Sequence, residues 1–241
     1  GDEKASGWLF DRLGELRGET PSWTLGVIQA RILAIEEKWD DALALFGALL
    51  DNTPRDKWLH YNMAICCEEV KRFEEAEAHL KKYIEYDPAN PDVLNFLGYL
   101  YAELNIKIGE AEKLIRAALA TDPESPYYLD SLGWVYYRQG KADLAIENIQ
   151  RALYLMDNDD AILREHLGDA WLLKGDTAKA LAQWQRAVRL DPKIEGVAEK
   201  IEAHTATTPA SSTASTSTAS AGGRSSTPRA SRRSARRRPA P

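Results

Sequence analysis

Four histidines, two cysteines and several paired glutamates are the residues of this chain whose types could do chemistry. His60, His79, His166 and His204 show no metal-ligand spacing along the sequence, and no cysteine joins them usefully, so no metal site and no cofactor is expected. His166 and Asp169 stand one helical turn apart, the spacing of a surface hydrogen bond or of a pair lining a groove. Cys66 and Cys67 are neighbours. A disulfide between them would be badly strained in a helix, and core packing explains them better than a soft-metal or redox pair. Glu36-Glu37, Glu68-Glu69 and Glu74-Glu75 read as solvated helix faces, not as acid–base dyads. There is no phosphate-binding glycine fingerprint. The chain therefore carries no catalytic constellation and is not expected to be an enzyme.

What remains is a set of aromatic and charged residues, and the elements that position them are helical hairpins. A small residue recurs at Ala42, Ala76, Ala111, Ala145 and Ala180, at intervals of 34, 35, 34 and 35. A second marker keeps the same intervals: Pro54, Pro88, Pro123, Asp157 and Pro192. Each unit reads as two helices whose apolar stripes one hairpin cannot bury alone, so neighbours must stack. Ala64, Gly98, Gly133 and Gly168 let paired helices approach, while Phe46, Leu80, Ile115, Ile149 and Trp184 fill second helices and Leu33, Tyr101, Tyr136 and Trp171 fill first helices. Proline after each second helix stops it, because it lacks an N–H and crowds the preceding turn.

In Asp130–Gly140 and just before it, Leu129, Leu132, Gly133 and Tyr136 stand at the spacing Trp/Leu-x-x-Leu-Gly-x-x-Tyr, with Ala145 and Ile149 following in the second helix. On these residues, and on Leu97-Gly98 and Leu167-Gly168 in the same register, the chain resembles the tetratricopeptide repeat (TPR) family over about 22–192. The stretches Leu94–Tyr99 and Asp130–Tyr137 also look like the closing repeats of bacterial TPR proteins, many of them from the cell envelope. The expected fold is all-α: a right-handed α-solenoid of five hairpins (22–56, 57–90, 91–125, 126–160, 161–192). The first hairpin is the most divergent, with Gly26 where a large residue belongs. Residues 1–21 are expected to be a polar segment and a helix carrying Trp8, Leu9, Phe10, Leu13 and Leu16, and 193–204 a capping helix with Val197 and Ile201. Residues 205–241, rich in Ser, Thr, Ala and Arg, are expected to be disordered.

The resemblance implies a concave groove lined by first helices, where peptides or partner helices bind. The groove residues it selects are Trp58, Tyr61, Asn62 and Ile65; Asn95, Phe96 and Tyr99; Tyr127, Asp130, Ser131, Trp134, Tyr137 and Arg138; and Glu165, His166 and Asp169, with Arg31 in the first unit. The set is aromatic, with carboxylates toward its C-terminal end, and Trp and Tyr are favoured anchors of binding. It lacks the clustered Lys of TPR domains that clamp a terminal carboxylate. The expectation is a protein-interaction scaffold for a basic or aromatic-bearing peptide or helix, with no small-molecule substrate.

Charge supplies the alternatives. Residues 1–204 carry a net −13 and residues 205–241 a net +7, from Arg224, Arg229, Arg232, Arg233, Arg236, Arg237 and Arg238. Arg232, Arg233, Arg236, Arg237 and Arg238 could meet nucleic acid, an anionic membrane or the chain's own acidic groove; the acidic body opposes nucleic-acid binding at long range. A structural subunit of a larger assembly is the other alternative. No stretch reaches the roughly 20 apolar residues of a membrane span. An N-terminal Gly1 fits a processed or excised piece of a longer protein, so both the bacterial cell envelope and the cytoplasm stay open as compartments.

Overall fold

The computed structural model describes residues 22–205. The helix expected within 1–21 and the Arg-rich segment beyond Thr205, including Arg232, Arg233, Arg236, Arg237 and Arg238, lie outside the described residues.

Eleven helices and no strand make up the described residues: α1 (Ser22–Ile35), α2 (Trp39–Asn52), α3 (Lys57–Glu69), α4 (Phe73–Tyr86), α5 (Pro91–Glu103), α6 (Ile108–Thr121), α7 (Pro126–Arg138), α8 (Ala142–Leu155), α9 (Ala161–Leu173), α10 (Thr177–Leu190) and α11 (Val197–Thr205). The first ten pair in order as five antiparallel hairpins stacked into a right-handed superhelix. First helices start on side chains suited to the task. Asp56, Asn90 and Asp160 accept hydrogen bonds from backbone N–H groups of the opening turn, and Pro91 and Pro126 sit where no N–H is needed. Every second helix ends two residues before the periodic Pro or Asp, including α8, which ends at Leu155 ahead of Asp157. Proline is therefore not required there.

Inside each hairpin the first helix closes on one left-handed residue: Glu37 (φ 61°), Lys71 (φ 61°), Asn105 (φ 54°), Gly140 (φ 73°) and Gly175 (φ 89°). The next N–H reaches back to the helix: Lys38 to Leu33 O (2.9 Å), Arg72 to Cys67 O (2.7 Å), Ile106 to Tyr101 O (2.9 Å), Lys141 to Tyr136 O (2.9 Å) and Asp176 to Trp171 O (3.0 Å). This is the Schellman closure, which satisfies carbonyls the helix would otherwise leave unpaired.

The core lies between the two helices of each hairpin and runs on between hairpins. Phe46, Leu80, Ile115, Ile149 and Trp184 are wholly buried, as are Ala42, Ala76, Ala111, Ala145 and Ala180. A Cβ built on Gly98 would stand 2.7 Å from Ile115 Cγ1, and one on Gly133 2.6 Å from Ile149 Cγ1, so both positions require the missing side chain. Gly26 also faces its partner helix closely: a Cβ there would meet Leu49 Cδ2 at 2.8 Å. In the first hairpin Leu49 of α2 thus packs over Gly26, at the place where the first helices of later hairpins carry a large residue such as Leu94 or Leu129. At the C-terminal end the helical residues begin at Val197, which is wholly buried and packs with Trp184 and Ala187; Ile201 covers the same cluster. No helix among the described residues is long and apolar enough to cross a membrane.

Candidate partner-binding site

The first helices α3, α5, α7 and α9 carry every groove residue named above except Arg31, on α1. Their surroundings differ from what the local pattern suggests. Trp58 is exposed (53 %), and its ring meets Tyr61 and Tyr83 edge-on at 6.5 and 5.7 Å. Asn62 is half-buried and donates to the Trp58 carbonyl at 2.7 Å. Tyr61, Asn95, Phe96 and Tyr99 are buried, with Tyr61 against Phe96 at 6.0 Å across two hairpins. Tyr127 is half-buried, and Ser131 and Asp130 are buried. Tyr61, Asn95, Phe96, Tyr99, Asp130, Ser131 and Trp134 are thus buried on the face built by the first helices. A residue not needed within its own hairpin is covered by the first helix of the next one.

The C-terminal part is where exposure, aromatic surface and charge converge. A pocket of about 370 Å³ is lined by Glu103, Trp134, Tyr137, Arg138, Glu165, His166, Asp169 and Lys200. Its floor is a stack: the Trp134 ring lies 4.6 Å from Tyr137 and 4.1 Å from His166, tilted by only 13° and 17°. The Arg138 guanidinium sits over Trp134 at 4.8 Å and near Tyr137 at 5.8 Å, a cation–π arrangement. Trp134 Nε1 donates to Glu103 Oε2 at 2.9 Å, Tyr99 Oη donates to the same oxygen at 2.8 Å, and Arg138 donates to the Glu103 carbonyl at 2.9 Å. One residue at the end of α5 thus orients three side chains of the site.

His166 has a partner on another helix. Its Nδ1 lies 2.8 Å from Asp130 Oδ1, on the preceding first helix, and both side chains are buried. Burial pulls the imidazole pKa down, but the charge of Asp130 and its hydrogen bond push it up further, so the net shift is upward. Asp169 serves another cation: Lys200 Nζ touches both its oxygens at 2.8 and 2.7 Å, and Glu165 Oε1 at 3.1 Å. Trp184 Nε1 donates to Asp169 Oδ1 at 2.9 Å from the hairpin core. Burial lowers the Lys200 pKa, yet the two carboxylates raise it more, and the ammonium stays charged. Burial, then the Asp169 charge, raises the Tyr137 phenol.

Lys200 and Glu103 are the site residues that periodicity did not select. A signal for Lys200 existed: on α11 it falls between Val197 and Ile201, on the face turned to the solenoid. The lysine corrects the picture of an open acidic end, because it neutralises part of the Glu165–Asp169 pair. Elsewhere, His60 and His79 are brought together across the α3/α4 hairpin, Nδ1 to Nδ1 at 2.9 Å, so a single proton lies between them. Burial is the main cause that lowers the pKa of each. Among the described residues no group of three or more His, Cys, Asp or Glu could hold a metal ion. Cys66 and Cys67 are buried and form no disulfide, and burial raises the Cys67 thiol to about 11.

Models of the tetratricopeptide repeat match residues 33–98, 69–134 and 131–193, together more than half of the chain. No curated protein sequence matches significantly. Among solved structures, TTC0263, a thermophilic TPR protein of Thermus thermophilus, superposes with a TM-score of 0.65 at 21 % identity, over 77 % of this chain and 100 % of its own. A chain of the APC/C hetero-tetramer Cut9–Hcn1 gives 0.74 at 17 % identity, over 83 % of this chain and 40 % of its own. YrrB, described as a TPR protein with an unusual peptide-binding site, gives 0.53 at 16 % identity, over 78 % of this chain and 96 % of its own.

Proposed function

Since the chain belongs to the tetratricopeptide repeat family, whose repeats generally mediate protein–protein interaction, we propose that it is a non-catalytic scaffold binding a peptide or helix of another protein on the face built by α3, α5, α7 and α9. The observation that carries the reading is the pocket between α7, α9 and α11, where stacked aromatic rings and paired charges line a cleft of about 370 Å³. Such a cleft is wide enough to take one side chain of a docked segment, while the exposed Trp58 ring offers a second anchor further along the face. The partner segment lies along the first helices, with Tyr61, Phe96 and Tyr99 serving as a rigid bed and Trp58, Tyr137 and Arg138 as contacts. Proteins of this fold are typically non-catalytic scaffolds, and the charged groups of the pocket pair with one another instead of presenting a nucleophile and base. A peptide-binding site on YrrB agrees with this reading without specifying the same residues.

The test is affinity capture with the full chain as bait, beside a Trp58→Ala/Arg138→Ala variant whose circular dichroism and melting match the parent. The expected result is a defined set of proteins retained by the parent and lost from the variant. Equal retention by both would refute a partner site on this face.

A further inference from the structure

We propose that the pocket between α7, α9 and α11 is a receptor for a lysine or arginine side chain of the partner segment, and that Lys200 occupies it in cis. The inference rests on the concave-face reading above and names the chemistry of the anchor. Glu165 and Asp169 project from α9 one turn apart, and the Lys200 ammonium bridges them with contacts of 3.1, 2.8 and 2.7 Å. Asp169 is only 7 % exposed and is held from behind by Trp184 Nε1 at 2.9 Å, so its carboxylate is set in place by the hairpin core and not by the lysine. Two fixed carboxylates, one of them buried, require a cation; they do not require this cation.

The element that supplies the cation is the least anchored one in the described chain. Helix α11 has nine residues and a single buried side chain, Val197, and it is entered through Gly196 at φ 74°. Val197 and Ile201 cover the end of the solenoid without help from a charge. Lys200 leaves the rest of the cleft open: about 370 Å³ remains beside it, walled by Trp134 and Tyr137. The Arg138 guanidinium lies over those rings at 4.8 and 5.8 Å, and Trp134 is stacked by Tyr137 and His166, so the ring an entering cation can reach is the half-buried Tyr137. A basic side chain from a partner exchanges with Lys200, takes the same carboxylates and lies beside Tyr137. Lys200 thereby sets a threshold: weakly basic segments fail to displace it.

The experiment uses the full chain and two synthetic probes, Ac-Gly-Arg-Gly-Arg-Gly-NH2 and the same peptide with norleucine for each arginine. Both are titrated calorimetrically at low salt into the parent, Lys200→Met and Lys200→Met/Asp169→Asn. Methionine keeps the stem of the lysine without its charge, and asparagine keeps an oxygen for Trp184. The arginine peptide is expected to bind Lys200→Met about tenfold more tightly than the parent, the scale of a charge-assisted contact no longer contested. The norleucine peptide should show no gain, and the double variant should lose it. If Lys200→Met folds and shows no gain for the arginine peptide, the receptor is overturned. A second readout needs no variant: the Nζ resonance of Lys200 in the parent should move on titration with the arginine peptide and not with the norleucine peptide. A Lys200 resonance unmoved by saturating arginine peptide makes the lysine a structural tie and overturns the proposal. Partners lost from Trp58→Ala/Arg138→Ala with no arginine-peptide gain in Lys200→Met would overturn only the cation receptor and leave the concave-face reading standing.

Discussion

Replacing Gly133 by alanine adds one methyl group where α7 crosses α8. The new Cβ would lie 2.6 Å from Ile149 Cγ1, 3.3 Å from Ile149 Cδ1 and 3.2 Å from the Ala145 carbonyl oxygen. Attractive carbon–carbon contact lies near 3.5–4.0 Å, so about an ångström must be recovered. Ile149 is wholly buried and cannot swing away, and the carbonyl belongs to the helix backbone. Overpacking of this kind costs about 1–3 kcal/mol, against about 0.5–1 kcal/mol gained when a helix interior exchanges glycine for alanine. The net loss of about 1–2 kcal/mol corresponds to a melting temperature lowered by about 2–8 °C for a domain of this size. Gly47, inside α2, is the internal control: a Cβ there meets nothing within 4 Å. Gly47→Ala should therefore raise the melting temperature by about 1–4 °C. Thermal melts followed by the helical circular dichroism signal decide the matter. Gly133→Ala melting at or above the parent, with Gly47→Ala behaving as expected, would refute close approach as the reason for the glycine.

Three further outcomes follow from buried and paired charges. Asp130→Ala leaves His166 buried without its carboxylate and should cost about 3–5 kcal/mol in denaturant unfolding. Asp130→Asn should cost less, and nitrogen-resolved NMR should then find the His166 midpoint lower than in the parent. The pKa values of His60 and His79 are depressed in the folded chain, so the stability linked to their neutrality is full above the unfolded value near 6.5 and falls as pH drops below it. A His79→Gln variant should show a flatter acid limb in melts taken from neutral to mildly acidic pH. His166, raised instead, contributes below about 6.5 and loses its contribution as pH climbs through its folded value, so the parent should show both slopes. Burial pushes the Glu77 carboxyl up, but Lys107, Lys81 and Tyr101 bring it down to about 2; the stability it adds is complete above about 4.5 and vanishes toward pH 2. Lys107→Met raises the folded value and should make that acid loss smaller and end it at higher pH, read by melts across the same range.

Local periodicity was enough for the hairpins but not for the site. The alanine and glycine markers report contacts within one hairpin, where Gly98, Gly133 and Gly168 each face a residue of the next helix in sequence. Such contacts depend only on helix geometry and a short turn, both of which composition reveals. The candidate site is assembled from residues 31 to 36 positions apart: Glu103 with Trp134, Lys200 with Asp169 and Asp130 with His166. Those pairings depend on the angle between successive hairpins, which no single repeat encodes. Hence the pattern places Tyr61, Phe96, Tyr99 and Trp134 on the groove face without telling how deeply the neighbouring hairpin covers them, and it shows His166 beside Asp169 but not its contact with Asp130. The His60–His79 contact is of the other kind: it lies within one hairpin, where 19 residues along the chain become 2.9 Å between ring nitrogens once α4 folds back on α3, and spacing along the chain alone does not show it.

The left-handed residue that closes each first helix has a consequence for how the solenoid comes apart. Glu37, Lys71 and Asn105 hold that conformation with a side chain in place, whereas Gly140 and Gly175 hold it without one. A side chain in this region costs about 1–2 kcal/mol for most residues and less for asparagine. In a linear array, stability is a sum of unit and nearest-neighbour terms, so a penalty in one turn stays local. The N-terminal two hairpins therefore carry strain that the last two lack. Amide hydrogen exchange should be faster in α1–α4 than in α7–α10, an unfolding front that enters from the N-terminal side and leaves the pocket-bearing hairpins folded longest. Glu37→Gly and Lys71→Gly should slow exchange in their own hairpins first.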